Sequence, residues 1–325
     1  MADGLVTTVI PNWNLKGDLA ECLDSLRQTS YSPHRVIVVD NGSTDGSPDL
    51  IEKEYPWVSL LVLPQNRGYA AALNVGIAEA LEESADYVFA LNNDTVVEAD
   101  ALGRLVEILA SDESIGIAAP KILYYDHPET IYRLGDRIYP WLPLPWAFGE
   151  GWTDHPRLDD VVEYDYVTGC AMLIRSDLFR EIGLFDTGFF MYYEDADFCR
   201  RAQRRGHRIV CVGDAVIYHK AALSADKIKS SIVRTRARNR IRFYRRYPHG
   251  PHPWLTYATL AFIAAWRSLS GLLKGNGHLV KQYLQGLWEG WHETPPPVRF
   301  AEAHQPETSE GTGEELCTVK PGELH

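Results

Sequence analysis

The sequence predicts an α/β fold with a mostly parallel sheet flanked by helices, and two features of its first half lead to this prediction. Apolar, β-rich segments alternate with helix-like segments, which is the order of a strand, its crossover helix and the next parallel strand. The strand segments, such as VIVV and YVFAL, are continuously apolar. Such runs are typical of strands that helices cover on both faces.

The first half contains five predicted strands and four predicted helices. The strands are Leu5–Ile10, Val36–Val39, Val58–Leu63, Tyr87–Leu91 and Ile115–Ala119. The helices between them are Leu19–Gln28, Pro48–Glu54, Ala70–Glu82 and Ala101–Leu109.

The second half begins with a change in composition. Residues 124–160 are rich in Tyr, Trp and Pro without clear periodicity, and we predict a long irregular loop, which in a compact domain is usually functional or mobile. Regular structure is predicted again from Tyr166 to Ile174. Helices near Ser176–Ile182 and from Glu194 follow, and then a strand from His207 to Tyr218.

Composition excludes several classes of protein. The chain has 325 residues, 45% hydrophobic and 23% charged, which is the usual balance of a globular protein with a core of its own. Its five cysteines are scattered and form no CxxC pair, so a disulfide framework or zinc knuckle is not expected and a reducing cytosol fits best. The N-terminus shows no signal-peptide pattern.

The charge is distributed unevenly. The formal net charge is −12, yet Lys227–Trp288 holds twelve Lys or Arg and no Asp or Glu, which leaves 20 basic and 44 acidic side chains elsewhere. A basic segment on an acidic chain predicts a polyanion or a membrane surface as partner. The alternative is that this segment docks on the acidic remainder of the same chain.

Polar residues follow four consecutive predicted strands. Ligands of open α/β sheets bind at the carboxyl ends of the strands, so these residues are candidates for one site. Each could also serve alone as a turn or a helix cap. The candidates are Pro11, Asn12 and Asn14, then Asp40 and Asn41, then Arg67 and Gly68, then Asn92, Asn93 and Asp94.

The segment Asn92-Asn93-Asp94 offers hard oxygen ligands for a divalent cation that also touches a diphosphate. The alternative is that this segment only forms an Asx-turn. The sequence lacks both GxxxxGK[ST] and a GxGxxG after the first strand, so the usual phosphate-binding loops are absent. A lone histidine, His219, ends a predicted strand, and together with Asp94 it would favour Mn²⁺ over Mg²⁺. A purely structural histidine is the alternative.

Three carboxylates, Glu194, Asp195 and Asp197, follow a run of aromatic residues at the predicted start of a helix. Aromatic surroundings raise the pKa of a carboxyl group or stack on a sugar, as a general base requires. For Asp197 we expect simple helix capping. Thr168 and Gly169 allow close approach of a substrate to the backbone, and Trp141 of the Trp/Pro-rich loop is a candidate sugar contact.

Jointly, these segments resemble a known family. VTTVIPNWN, VIVVDNGSTDGS, NRGYAAALNVGI, FALNNDT, VTGCAMLIR, FDTGFFMYYEDADFCRR and VIYHKAALS resemble the family-2 glycosyltransferases of the GT-A fold, particularly the rhamnosyltransferase branch. The resemblance covers roughly residues 5–245. It implies a GT-A fold, a Rossmann-like and mostly parallel sheet flanked by helices, with amphipathic helices following at the C-terminus.

The resemblance also implies a role for each site residue. Asp40, with Asn41 beside it, would bind the pyrimidine base, and Arg67 and Gly68 would lie near the nucleotide and its diphosphate. Asp195 would be the catalytic base, with Glu194 as the next choice. Further nucleotide contacts would come from Pro11, Asn12, Asn14, Asn92 and Asn93.

The metal motif departs from the family pattern. Asn92-Asn93-Asp94 occupies the place of a DxD motif, but its first acid is Asn92. Asp94 would therefore be the main carboxylate ligand of Mg²⁺ or Mn²⁺, with modest affinity. His219 matches a histidine that completes the metal site in some members.

The implied activity is a metal-dependent, inverting transfer of a sugar from a nucleotide-diphosphate donor to a hydroxyl of a lipid-linked or polysaccharide glycan. The implied donor is dTDP-rhamnose, with UDP-galactofuranose, UDP-GlcNAc and UDP-glucose as alternatives. A non-catalytic module that binds a nucleotide or sugar is an alternative function, because Asn92 replaces the first acid of the metal motif. A nucleotidyltransferase is a further alternative, but it would be expected to carry a Gly-rich phosphate loop after the first strand.

The C-terminal part predicts a basic helix, Ile228–Tyr247, and two amphipathic helices within Trp254–Trp291. The uncharged run Leu255–Trp266 is too short to span a bilayer. Residues 227–291 could therefore lie on an anionic membrane, with packing on the catalytic domain or a homodimer contact as alternatives. No nucleic-acid motif accompanies the arginines.

We predict three regions: a catalytic domain at 1–225, C-terminal helices at 226–293, and a disordered tail at 294–325. The expected location is cytoplasmic and peripheral, at the inner face of the cell membrane.

Overall fold

A computed structural model of the chain describes residues 4–138, 145–221, 230–248, 253–293 and 317–319. Trp141 lies outside the described residues, and so does the predicted tail apart from 317–319. The division into three regions stays a prediction.

The five strands predicted in the first half are all present in order and place, and the structure adds strands that the sequence did not predict. In chain order, β1 to β13 are Val6–Asn12, His34–Asn41, Ser59–Leu63, Tyr87–Leu91, Thr95–Val97, Ile115–Tyr124, Ile131–Arg133, Gly135–Ile138, Pro145–Phe148, Val161–Glu163, Ala171–Arg175, Arg208–His219 and Cys317–Val319.

The α-helices likewise follow the predicted alternation. In chain order, α1 to α9 are Lys16–Arg27, Ser47–Glu54, Tyr69–Glu82, Ala101–Ser111, Ser176–Ile182, Glu194–Arg204, Ser230–Arg246, Pro253–Leu273 and Gly277–His292. Short 3₁₀ turns occur at Pro156–Leu158 and Thr187–Phe189.

One sheet contains most of the described strands, in the order β10-β12-β6-β11-β4-β1-β2-β3-β13. β4, β1, β2 and β3 pair in parallel, and so do β6 and β12. The predicted α/β class is therefore confirmed, with β1 to β4, β6 and β12 all running in one direction. β11 lies antiparallel between β4 and β6, and the short strands β5, β7, β10 and β13 also pair antiparallel with their neighbours. The chain leaves β6 at the carboxyl edge and re-enters the sheet from that edge, so β11 has to run in the opposite direction.

Consecutive residues of β1 point into different layers of the core. Ile10 packs with Leu19 and Leu23 of α1, whereas Val9 packs with Val39 and Ile77 on the side of α3. Both faces of the sheet are thus covered by helices. This explains why the strand sequences are continuously apolar instead of alternating.

The segment predicted as an irregular loop is more regular than expected, because it contains β7, β8 and β9. Ile131 pairs through its backbone with Trp152, and the rings of Phe148 and Tyr164 pack 5.9 Å apart. Below it, the buried Lys121 Nζ lies 2.8 Å from Asp154 Oδ1 and 2.7 Å from an Asp159 carboxylate oxygen. A buried ammonium group needs such partners, so these contacts tie the segment to β6.

The C-terminal helices form a packed group. Glycines let α9 approach α7 closely, since a Cβ at Gly286 would lie 2.2 Å from the Arg234 carbonyl oxygen. Arg234 and Arg242 of α7 pair with Glu289 and Glu293 respectively. Docking within the chain therefore accounts for part of the basic segment. None of the described helices has both the length and the apolar character needed to cross a membrane.

The close contact between α3 and the sheet generates a stability prediction. A Cβ at Gly76 would lie 2.4 Å from Val9 Cγ1 and 2.9 Å from Val39 Cγ2, whereas nothing lies within 4 Å of a Cβ at Gly17 on α1. Both changes to alanine favour a helical backbone, but only Gly76→Ala overpacks the core. We expect Gly76→Ala to lower the free energy of unfolding by about 1–3 kcal/mol relative to Gly17→Ala, measured by urea denaturation. Equal stability of the two variants would contradict this packing.

Candidate active site

The carboxyl ends of β1, β2 and β4 converge, as the sequence predicted. Asn12 and Asp40 are register partners, and Asn12 Nδ2 donates a 3.0 Å hydrogen bond to Asp40 Oδ1. Asn93 Nδ2 donates to Asn12 Oδ1 at 2.7 Å. The three side chains are buried and form one connected polar cluster at the end of the sheet.

Ser43 joins this cluster, although sequence reasoning did not select it as a site residue. Its backbone N–H donates to Asp40 Oδ2 at 2.9 Å, and its hydroxyl accepts from the Asn14 N–H at 2.8 Å. Asn14 has a left-handed backbone with φ of 61°, a conformation that asparagine tolerates better than most residues. The only signal for Ser43 was its place in the turn after Asp40. Pro11 lies buried in β1, next to this cluster.

Asn41 and Gly68 connect β2 with the loop before α3. Asn41 Nδ2 donates to the Gly68 carbonyl at 3.1 Å, and Asn41 Oδ1 accepts from the Arg67 N–H at 2.8 Å. Gly68 has φ of +91°, and a Cβ there would lie 2.5 Å from the ring of Phe190. Asn41 therefore positions this loop, while the Arg67 side chain is exposed at its tip.

Asp94 and His219 are adjacent, because Thr95 of β5 pairs with His219 of β12. His219 Nε2 lies 3.2 Å from Asp94 Oδ1. Burial alone would raise the pKa of Asp94, but His219 outweighs it and lowers that pKa. Burial alone would lower the pKa of His219, but Cys170 and Asp94 raise it to about 10. The pair therefore favours an ionised carboxylate.

These two side chains fit part of a metal site. His219 Nδ1 is buried without a hydrogen-bond partner among the described residues, and a carboxylate with an imidazole suits Mn²⁺. The described parts of the chain contain no group of three or more His, Cys, Asp or Glu side chains that could hold a metal ion. A cation here would need further oxygen ligands, such as substrate phosphates and water, which Mg²⁺ sites commonly use.

Asp195 lies at the first turn of α6, facing the entrance of β11. Its Oδ2 accepts from the Gly169 N–H at 2.9 Å, and its Oδ1 accepts from the Ala196 N–H at 2.8 Å. The Gly169 carbonyl in turn accepts from the Tyr69 hydroxyl at 2.8 Å, and the Thr168 hydroxyl accepts from the Cys170 N–H at 3.4 Å. Thr168 and Gly169 are thus brought to Asp195.

The neighbouring carboxyl groups differ in access. Glu194 is 5% exposed, and its Oε2 has no hydrogen-bond partner within the described chain. Burial and the charge of Asp195 raise its pKa well above the usual value. Burial also raises the pKa of Asp195, against the backbone N–H groups of Gly169 and Ala196 that lower it. Of the two, Glu194 is the one whose neutral form is favoured, and Asp195 is the more accessible one.

The loop before α6 has an unusual backbone that Asn239 holds in place. Phe190, Tyr192 and Tyr193 all have positive φ, between 61° and 76°, which costs energy for non-glycine residues. Asn239 of α7 is fully buried, and its Nδ2 lies 2.7–2.9 Å from the carbonyl oxygens of Phe189, Met191 and Tyr192, so that its two N–H groups are shared among three acceptors. Sequence reasoning missed Asn239, whose only signal was that it interrupts a run of arginines.

The expected capping role of Asp197 is wrong. Its side chain is fully buried, and Oδ2 lies 2.8 Å from Arg201 Nε. Its Oδ1 lies 2.6 Å from Arg246 Nη1 and accepts from the Tyr247 hydroxyl at 2.9 Å. The carboxylate points into the contact between α6 and α7, because two guanidinium groups compensate its burial better than the helix end would.

Arg133 and Asp136 form a second group near Asp195 that the sequence did not reveal. Arg133 Nη1 lies 3.2 Å from Asp136 Oδ1. Burial raises the pKa of Asp136 to about 7, although Arg133 opposes this shift. The charge of Arg133 also lowers the pKa of Asp195. Both residues lie in the segment that was predicted to be irregular, which hid their positions.

Known proteins resemble this chain in sequence. The sequence model of the family described as "Glycosyl transferase family 2" matches residues 7–183. The "N-acetylglucosaminyl-diphospho-decaprenol L-rhamnosyltransferase" of Mycobacterium tuberculosis is 29% identical over 223 residues, which cover 62% of this chain and 72% of that protein. The "Poly-beta-1,6-N-acetyl-D-glucosamine synthase" of Staphylococcus aureus is 32% identical over 113 residues, 34% of this chain and 27% of that protein.

Solved structures support the fold. A Pyrobaculum calidifontis mannosyltransferase in complex with GDP-Man and Mn²⁺ has a TM-score of 0.56 at 17% identity, covering 88% of this chain and 87% of that one. GalNAc-T7 with UDP, GalNAc and Mn²⁺ has a TM-score of 0.57 at 15% identity, covering 75% and 50% respectively. The GT-A fold and the rhamnosyltransferase-like resemblance predicted from the sequence are confirmed.

Proposed function

The chain belongs to glycosyl transferase family 2, and we propose that it is an inverting enzyme that moves rhamnose from dTDP-rhamnose to a hydroxyl of a lipid-linked or polysaccharide glycan. The observation that carries the proposal is the position of Asp195, held by two backbone N–H groups beside the polar strand ends. The mycobacterial relative is named as a rhamnosyltransferase with a lipid-diphosphate acceptor, which supports rhamnose and such an acceptor here. Donors carrying UDP, such as UDP-galactofuranose, UDP-GlcNAc or UDP-glucose, are the alternative.

In this proposal the strand ends bind the donor. Asp40, oriented by Asn12 and the Ser43 N–H, accepts a hydrogen bond from the pyrimidine base. The loop at Arg67 and Gly68 lies beside the diphosphate. Because Asn41 holds that loop through two hydrogen bonds, its contribution is to orient the loop, not to touch the nucleotide.

Asp195 acts as the general base. It takes the proton of the acceptor hydroxyl while that oxygen attacks the anomeric carbon and the bond to the diphosphate breaks, with inversion. Its raised pKa makes it a stronger proton acceptor than an exposed aspartate. Glu194 stays neutral, so one negative charge remains next to the reacting oxygen. Thr168 and Gly169 line this position.

Asp94 and His219 would hold a Mg²⁺ or Mn²⁺ ion. Such an ion, when bound, offsets negative charge on the leaving diphosphate. With two protein ligands, the site depends on donor oxygens for the rest of its coordination. This agrees with the departure at Asn92, where a carboxylate ligand of the family motif is missing.

We further propose that α8 binds a lipid surface. Its exposed apolar side chains recur at helical spacing and therefore share one face. These residues, which we call the apolar stripe, are Phe262, Trp266, Leu269, Leu272 and Leu273, each more than half exposed. Tryptophan and phenylalanine beside leucine are typical of helices that lie in a membrane interface.

Charge favours lipid over a second copy of this chain. The exposed residues Arg267, Lys274 and Lys281 flank the apolar stripe, and no acidic residue occurs between 227 and 288. A symmetric dimer through this face would bring the same cations opposite each other, whereas anionic headgroups would compensate them.

The base assignment is tested by Asp195→Asn. We expect kcat to fall by about 10²-fold or more, because general-base catalysis contributes about 10²–10⁴-fold, while the donor still raises the melting temperature. Glu194→Gln is the matched control. Since Glu194 is already protonated, this replacement should leave kcat within about threefold. A near-native rate of Asp195→Asn, or a loss confined to Glu194→Gln, would contradict the assignment.

The same base predicts a pH dependence. Asp195 must be deprotonated to accept a proton, and its pKa is raised, so activity should be lost on acidification at a higher pH than an ordinary aspartate would give. The kcat/KM profile measures this. A rate that stays constant down to the usual aspartate range would contradict the raised pKa.

The metal site is tested by binding alone. Mn²⁺ with UDP or dTDP should raise the melting temperature, since ligands that bind the native state stabilise it. Asp94→Asn should remove the Mn²⁺-dependent part of this rise. Asn92→Asp should enlarge it, because a second carboxylate joins the site. If neither replacement changes the Mn²⁺ effect, the metal binds elsewhere.

Lipid binding is tested by co-sedimentation of the full chain with phosphatidylglycerol vesicles. We expect Phe262→Ser with Trp266→Ser to weaken binding at least about tenfold. Each buried side chain of this size contributes about 1.5–3 kcal/mol, and a tenfold change needs about 1.4 kcal/mol. Trp57→Ser, which alters a surface tryptophan far from α8, is the control. Equal sedimentation of all forms would contradict the proposal, and so would a dimer without lipid that only the double variant loses.

A further inference from the structure

Six of the seven arginines of α7 fall into two groups, and the seventh, Arg238, donates from Nε to Asn239 Oδ1 at 3.1 Å. Members of the first group are used inside the protein, since they contact acidic side chains or the C-terminal carbonyls of α9. This group comprises Arg234 with Glu289, Arg242 with Glu293, Arg245 with the Gly290 and Glu293 carbonyls, and Arg246 with Asp186 and Asp197.

Arg236 and Arg240 form the second group. They are four residues apart and share a helix face, which points toward the loop before α6. The Arg236 guanidinium lies 4.2 Å from the centre of the Tyr192 ring, and Arg240 Nε donates to the Tyr193 hydroxyl at 3.1 Å. Arg240 Nη1 is buried without a hydrogen-bond partner among the described residues.

A third guanidinium joins them from α8. Partial desolvation lowers the pKa of Arg267, although its side chain stays exposed, and the nearby charges of Arg240 and Arg236 lower that pKa further. Within the described chain, no Asp or Glu oxygen lies within 4 Å of Arg236, Arg240 or Arg267. We call these three residues the arginine cluster. Three uncompensated like charges repel each other, and a bound polyanion would remove that cost.

The location of the arginine cluster defines the shape of its ligand. Arg267 directly follows Trp266 of the apolar stripe, and Tyr193, which contacts Arg240, directly precedes Glu194 and Asp195. The cluster therefore joins an exposed apolar surface at one side to the candidate base at the other. A ligand that matches the apolar surface, the arginines and the candidate base in turn has an alkyl chain, then a diphosphate, then a hydroxyl-bearing sugar.

We propose that the arginine cluster binds the diphosphate of an amphiphilic acceptor, whose lipid chain lies on the apolar stripe and whose sugar hydroxyl reaches Asp195. Guanidinium groups suit this task, because their paired N–H donors match phosphate oxygens. The proposal rests on the proposed glycosyl transfer and adds the binding site of the acceptor. The donor diphosphate is a second source of the same chemistry, and the test separates the two.

The test measures binding, not turnover. Farnesyl diphosphate below its micellar concentration serves as the acceptor-like probe, farnesol as the probe without phosphate, and UDP with Mn²⁺ as the donor probe, each titrated by calorimetry. We expect the double variant R236Q/R267Q to bind farnesyl diphosphate at least about tenfold more weakly, because two charge-assisted contacts are removed. Its affinity for UDP with Mn²⁺ should be unchanged.

The matched control removes two positive charges elsewhere. Arg180 and Arg205 are exposed and lie outside the arginine cluster, so R180Q/R205Q should bind all probes like the native chain. Arg236 and Arg267 are also exposed, so their replacement should leave the melting temperature unchanged. The single variants R236Q and R267Q give the same comparison if the double variant melts lower.

Three results would overturn the proposal. The first is native-like binding of farnesyl diphosphate by R236Q/R267Q. The second is lost affinity for UDP with farnesyl diphosphate binding retained, which would assign the cluster to the donor. The third is equal affinity for farnesol and farnesyl diphosphate. Failure of the proposed function would look different, because the native chain would then show no thermal response to any nucleotide-sugar while the probe titrations were unaffected.

Discussion

The left-handed loop from Phe190 to Tyr193 is the constraint on which the rest of the site depends. Its path is unfavourable for non-glycine residues, and the Asn239 amide, whose two N–H groups are shared among three backbone carbonyls, compensates for it. At one end, the Phe190 ring leaves room only for glycine at position 68. At the other end, the loop sets the first turn of α6, and with it the direction of the Asp195 carboxylate. One loop thus connects the Gly68 position to the Asp195 carboxylate.

This constraint explains why the C-terminal helices accompany the catalytic fold. Asn239 lies on α7, and α7 is held by α9 through pairs such as Arg234 with Glu289. Asp197 adds a second attachment, since Arg246 and Tyr247 of the same region reach it. The part of the chain that the charge pattern marked as a separate basic segment therefore supports the backbone around the candidate base.

The sequence predicted the fold well because the relevant signals are local. Continuous apolar strands, helices between them and polar strand ends sufficed to place Asn12, Asp40, Asn93 and Asp94 along one edge of the sheet. β11 could not be recognised as antiparallel, since strand direction depends on where the preceding segment returns to the sheet. For the same reason, nothing in the sequence indicated that Arg133 approaches Asp195.

Side-chain roles were harder to predict where a residue has several suitable partners. Asp197 is an acid in the first turn of a helix, where caps are common, yet its orientation is decided by Arg201 one turn away and by the distant Arg246 and Tyr247. Asn239 is one asparagine among arginines, and its role follows only from the unusual backbone that it contacts. Sequence patterns indicate which residues can carry charge or hydrogen bonds, whereas long-range packing decides which partners they find.

The four acidic groups of the site show how burial assigns different roles to similar side chains. Asp40 is held by amide donors, and Asp94 is kept ionised by His219. Burial next to Asp195 favours the neutral form of Glu194, and Asp195 is the more accessible carboxylate. A further acid at position 92 would add repulsion next to Asp94 that only a bound cation could offset. In the proposed function, asparagine at position 92 avoids this repulsion, and a cation at Asp94 would depend on the oxygens of the donor, so that metal and nucleotide-sugar would bind together.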